Sequence, residues 1–172
     1  EASLTEPLAC CINGLERIFI EPGKSVLIIG AGPIGILLYR AAQAFGAGTV
    51  IITDNDKGRV QGAKALGLES YLAQSKDLKK LTNELTNGEG FNGVLTACSV
   101  PEVQETAVNL VSKRGIVNFF GGLPATSRNI NIASNFIHYN EAYLTGSHGS
   151  SPRQFKLALQ MIADGKIRLN DI

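Results

Sequence analysis

Six residues, Gly30-Ala31-Gly32-Pro33-Ile34-Gly35, place glycines at the first, third and sixth positions, and Asp54 follows the last of them by nineteen residues. This spacing suits phosphate and ribose. Gly30 lets the chain turn sharply, Gly32 offers bare backbone to a pyrophosphate, and Gly35 lets a following helix lie close to a sheet. Pro33 opens that helix where a missing N–H costs nothing. The free N–H groups from Ile34 onward, and the positive end of the helix, then meet the phosphate charge. Asp54 is placed to accept hydrogen bonds from an adenosine ribose diol. Its charge disfavours a 2′-phosphate, so NAD is expected over NADP. Charge-assisted bonds of this kind contribute about 1.5–3 kcal/mol. Arg59 is open to three readings: it reaches a 2′-phosphate, lies along the adenosine edge, or is solvated.

Residues for the chemical step itself are missing. His138 precedes the last strand and reads as a surface or satisfied core residue. His148 lies in a glycine- and serine-rich loop near the expected nicotinamide and reads as a contact at most. The three cysteines, Cys10, Cys11 and Cys98, have neither disulfide nor zinc spacing. No catalytic residue is assigned within this chain; it reads as a cofactor holder without a reaction centre.

The elements that must position these residues alternate. Apolar or β-branched runs at 25–29, 49–53, 69–72, 93–97, 116–120 and 142–145 read as strands. Helical periodicity appears between them and at both ends. Leu8, Cys11, Ile12, Leu15, Ile18 and Phe19 form the first stripe. A last helix opens at Pro152 with Phe155, Ala158, Leu159, Ile162 and Ala163 on one face. Apolar strands alternating with helices imply an α/β fold: a doubly wound parallel six-stranded sheet in three layers, the Rossmann fold, in the order 3-2-1-4-5-6. Ligands bind outside the carboxyl ends of such strands, which places Cys98, Ser99, Gly122, Leu123 and residues 143–147 at the crevice.

Composition excludes several classes. With 16 basic and 15 acidic residues the chain has a net charge of +1, which offers no footprint for nucleic acid. No apolar run is long enough for a membrane span, so neither nucleic acid nor membrane is expected as a partner. The odd cysteine count points to a reducing, cytoplasmic setting. Met161 is the one methionine, so the expectation is a piece excised from a longer protein.

The sequence resembles the nucleotide-binding domain of the medium-chain, zinc-dependent alcohol dehydrogenase superfamily, in its sorbitol/iditol and threonine dehydrogenase branch. Glu6-Pro7-Leu8, residues 26–35, Thr53-Asp54, residues 63–67, Gly121-Gly122-Leu123-Pro124, Gly146-Ser147 and residues 162–167 carry the resemblance over nearly the whole chain. It implies one dinucleotide-binding domain over 1–172. Residues 1–20 enter from, and 166–172 return to, a catalytic domain of the same polypeptide that is missing here. It further implies NAD(H) as cofactor, zinc in the full-length enzyme, a homo-oligomer, and nicotinamide contacts from Gly122, Leu123, Tyr143 and Thr145. Glu6 matches a carboxylate at or near the catalytic zinc in the polyol branch. From its own surroundings, Ser3-x-x-Glu6 also reads as a helix-capping box, and Thr5 before Pro7 as another cap. One carboxylate cannot hold zinc alone, so none is expected in this chain. Asn92 and Ser99 depart from the family pattern, which has an acid and a glycine there. The implied activity is hydride transfer between a polyol or secondary alcohol and NAD. Alternatives are an NADPH-dependent quinone reductase relative, a non-catalytic nucleotide sensor and a methyltransferase.

Overall fold

The computed structural model describes residues 2–168. Helix α1 (Thr5–Glu16) leads to β1 (Ser25–Ile29), α2 (Pro33–Ala44), β2 (Thr49–Asp54), α3 (Lys57–Ala65) and β3 (Ser70–Leu72). Then follow α4 (Leu78–Thr86), β4 (Phe91–Thr96), α5 (Pro101–Ala107), β5 (Val111–Phe119), α6 (Ser134–Asn140), β6 (Tyr143–Gly146) and α7 (Pro152–Ala163). The strands pair in the order β3-β2-β1-β4-β5-β6, and every pairing is parallel. The expected doubly wound Rossmann sheet is therefore present.

Burial explains why these runs become strands. Leu27, Ile28, Ile51, Ile52, Val94 and Leu95 are almost wholly shielded from solvent. Each large aliphatic chain hidden this way contributes roughly 1.5–3 kcal/mol. Alternate strand residues feed two cores. One packs Ile28, Ile52 and Leu95 with α1, α2 and α7; the other packs Leu27, Ile51 and Val94 with α4 and α5. Ile29 pairs with Thr53 on one side and Thr96 on the other, so β1, β2 and β4 end level with one another. That shared edge carries the glycine turn.

Several local expectations shift. The periodic stripe predicted through Phe19 ends as helix at Glu16; Phe19 has φ 45° and is 74% exposed, turned away from the core. Ser3 does not cap α1, whose N-cap is Leu4 with no side-chain hydrogen bond. Strand β5 starts at Val111, five residues before its predicted start at Ile116, and reaches that point through Arg114 at φ 61° and a register shift against β4. Helix α6 buries none of its seven residues fully; Phe136 and Ile137 are half-buried, with Phe136 against the second core, too short a stripe to stand out in the sequence.

On α7 the buried residues are Gln154, Ala158 and Met161, while Phe155 and Leu159 are 43% and 50% exposed. Hydrogen bonding causes this rotation. Gln154 Nε2 donates to Asn13 Oδ1 at 3.2 Å and to Glu16 Oε2 at 2.7 Å, which turns its polar side chain toward α1.

All three cysteines are free. Among the described residues no helix is long and apolar enough to cross a membrane.

Candidate functional site

The glycine turn links β1 to α2, and each glycine answers a different constraint. Gly30 has φ 121°, and a Cβ there would lie 2.8 Å from the carbonyl oxygen of Ala97. Its N–H donates to Thr53 O at 2.7 Å. A Cβ on Gly35 would stand 1.8 Å from Gly30 O. Gly32 differs: a Cβ there meets nothing within 4 Å, so open space lies before this stretch of backbone. Gly32 is also the N-cap of α2, and no side chain caps this end. Ile36 N–H, donating to Gly32 O at 3.0 Å, makes the helix's first backbone bond. The N–H groups of Ile34 and Gly35 precede it and have no partner within the helix. This arrangement is suited to an anion: bare backbone, first-turn donors and the positive end of a twelve-residue helix converge.

Asp54 ends β2 with 6% of its surface exposed. Its Oδ2 accepts from Ala31 N–H at 2.8 Å and its Oδ1 from Asp56 N–H at 2.9 Å. Arg59, on the first turn of α3, brings Nη1 to 3.6 Å from Oδ2 while remaining largely in solvent. Asp56 caps that helix by accepting from Arg59 N–H at 2.8 Å.

Gly30, Gly32, Asp54, Arg59 and Cys98 line one cavity of about 210 Å³. Its remaining wall comes from residues the motif did not flag. Ala73, Ser75 and Leu78 follow β3, while Val100 and Val103 follow β4. Their signal in the sequence was position, because each lies just beyond the carboxyl end of a strand. Ile29 also lines the cavity, and the hydroxyls of its neighbours Thr53 and Thr96 are buried without a hydrogen-bond partner. The residues fit an adenosine nucleotide: apolar walls for a base, an acid for a ribose and a glycine turn for phosphate.

Burial pushes the Cys98 thiol above its ordinary value, with nearby Asp54 adding to the effect and a backbone hydrogen bond opposing both.

Ser99, Gly122, Leu123, Tyr143 and Thr145 do not line this cavity. Gly122 is exposed beyond β5, with open space where its Cβ would be. Gln104, buried on α5, holds the preceding residue by donating to Gly121 O at 2.8 Å. Thr145 pairs with Asn118 in the ladder, whereas Tyr143 opens β6 opposite Ile116, at the strand's amino end. Neither histidine is buried. His148 lines a larger hollow of about 520 Å³ with Glu16 and Arg153. That hollow is bigger but lacks the glycine turn, and Asn13, Glu16, Arg153 and Gln154 on its wall already pair with one another. Chemistry, not volume, selects the smaller cavity.

Glu6 is exposed on the first turn of α1 and accepts from Cys10 Sγ at 3.1 Å. Burial, reinforced by that carboxylate, pushes Cys10 up to about 11. Among the described residues no group of three or more His, Cys, Asp and Glu side chains is placed to hold a metal ion.

Known proteins share this architecture. The chain is 32% identical over 169 residues to a sorbitol dehydrogenase of Halalkalibacterium halodurans, covering 96% of this chain and 48% of that protein. It is 34% identical over 171 residues to D-altritol 5-dehydrogenase of Agrobacterium fabrum, again covering 96% of this chain and 48% of the relative. The chain thus spans about half the length of the curated relatives it matches. A protein of Sinorhizobium meliloti solved with NADP bound superposes with a TM-score of 0.85 at 25% identity, covering 98% of this chain and 49% of that one. Residues 33–164 match a family model described as zinc-binding dehydrogenase, and on that match and these identities the chain belongs to the zinc-binding dehydrogenase family.

Proposed function

We propose that this chain is the NAD(H)-binding half of a zinc-dependent oxidoreductase that moves a hydride between a polyol or secondary alcohol and NAD. The observation carrying the reading is the Asp54 carboxylate in the same cavity as the open backbone of Gly32. An acid there welcomes two ribose hydroxyls and repels a 2′-phosphate. The turn at Gly30–Gly35 takes the pyrophosphate, and Cys98 with Val100 and Val103 walls the adenosine. Beyond the cavity, Gly122, Leu123, Tyr143, Thr145 and Ser99 remain the proposed nicotinamide-side contacts.

A second domain of the same polypeptide supplies the reaction centre in this reading. Residues 1–20 enter from it and residues 166–172 return to it, the first residue and the last four lying outside the described residues. Zinc, when bound in the whole enzyme, acts as a Lewis acid on the alcohol oxygen. This chain's contribution is to hold and orient the nicotinamide, with Glu6 contributing a carboxylate near the metal. A homo-oligomer joined at the sheet edge formed by β6, and a cytoplasmic setting, complete the proposal. The free cysteines support the latter.

Arg59 favours a second reading, NADP(H), because its exposed guanidinium stands beside Asp54 and a 25%-identical relative was solved with NADP. Calorimetric titration of the chain with NADH and NADPH separates the two. NADH should bind at least tenfold more tightly, and tighter NADPH binding overturns the NAD assignment.

A further inference from the structure

Both oxygens of the Asp54 carboxylate are engaged by main-chain donors before any ligand arrives. Oδ2 takes Ala31 N–H and Oδ1 takes Asp56 N–H. Ala31 lies between Gly30 and Gly32, so the first bond reaches from the end of β2 into the middle of the phosphate-facing turn. Gly30 is separately fixed by Thr53 O, but that bond stops one residue short of Ala31.

Two N–H groups converging on one side chain require an acceptor at each end. A carboxylate meets this demand and keeps a second lone-pair position on each oxygen for a ribose hydroxyl. A carboxamide of the same shape does not. In either orientation its NH₂ end faces a backbone N–H, donor against donor.

We infer that Asp54 is a positioning residue for the phosphate turn as well as the acceptor for ribose. By fixing Ala31 it sets where Gly32 and the first turn of α2 stand, and so acts on the pyrophosphate without touching it. This rests on the dinucleotide reading above and adds a route from Asp54 to the phosphates that bypasses the sugar.

The test uses ADP and 2′,3′-dideoxy-ADP, which keeps the diphosphate but lacks both ribose hydroxyls, against the whole chain and its Asp54→Asn variant. The inference expects the substitution to weaken dideoxy-ADP by about tenfold or more, through loss of a charge-assisted bond. Unchanged dideoxy-ADP affinity, with a loss confined to ADP, overturns it: Asp54 then acts through the sugar alone. General destabilisation would lower the melting temperature but leave a folded variant's dideoxy-ADP affinity in place. If the unaltered chain binds neither ligand, the dinucleotide reading itself falls, and this inference with it. Should the asparagine variant not fold, Asp54→Ala, which removes both acceptors, carries the same ADP and dideoxy-ADP comparison: weakened dideoxy-ADP supports the inference, and a loss confined to ADP overturns it.

Discussion

A methyl group on Gly35 would stand 1.8 Å from the carbonyl oxygen of Gly30. The turn therefore closes on itself, with helix α2 seated against the residue that follows β1. Gly35→Ala forces backbone apart and should cost about 3 kcal/mol or more in urea unfolding. Gly32→Ala meets no atom within 4 Å at φ −75° and should change stability by less than about 1 kcal/mol. Its new methyl should nevertheless weaken NADH binding, measured by fluorescence titration. Equal stability losses for the two variants would contradict these different roles.

Gln154 joins α7 to α1 through Asn13 and Glu16. Replacing it with leucine puts an apolar side chain on the buried face, as simple patterning would favour. The substitution should still destabilise the chain by about 1–3 kcal/mol, because Asn13 Oδ1 loses its donor in a buried place. Denaturant unfolding of Gln154→Leu checks this, and a stabilised variant would refute it.

Acid should loosen the same seam. Burial raises the Glu16 carboxyl, but hydrogen bonds from Arg153 and Gln154 outweigh it and hold the group below its ordinary 4.5. The folded group thus titrates below the unfolded one. Its contribution is complete above that ordinary value and fades as falling pH protonates the folded carboxyl. Glu16→Gln should flatten the pH dependence of the melting temperature below about 4.5, leaving little of it if Glu16 is the main contributor there.

Thiol labelling reads out the cavity. With Cys98 above its ordinary value, Cys10 at about 11 and Cys11 raised further by burial, alkylation at neutral pH should be slow at all three. Saturating NADH should slow Cys98 further and leave Cys10 unchanged, followed by peptide mass spectrometry. Equal protection of both would place the ligand elsewhere.

The turn and its acid were legible because their demands fall on single residue types at fixed spacing. Only glycine satisfies the steric conditions at Gly30 and Gly35, and Asp54 is named by its distance from them. The strand order followed equally from apolar runs and the handedness of crossovers. What escaped depends on partners distant in sequence. On α7, Ala158 and Ile162 face the core as expected but Phe155 and Leu159 do not, because Gln154 is drawn inward by Asn13, 141 residues away. The apparent capping box at Ser3 gave way to a 3₁₀ turn over Ala2–Leu4. The cavity's apolar wall at Leu78, Val100 and Val103 comes from elements that carry no motif. Asp54's grip on Ala31 is likewise invisible in spacing, since it needs the geometry of two strand ends side by side.

An all-parallel sheet has a consequence for how the chain comes to exist. Val26 finds one neighbour at Val50 but the other only at Gly93, so the central strand waits for most of the polypeptide before both its edges are satisfied. Every such pairing must first close a long stretch of chain. Acquisition of the native state should accordingly be slow, and an early form that has β1 beside β2 alone exposes a sticky hydrogen-bonding rim to other copies during synthesis.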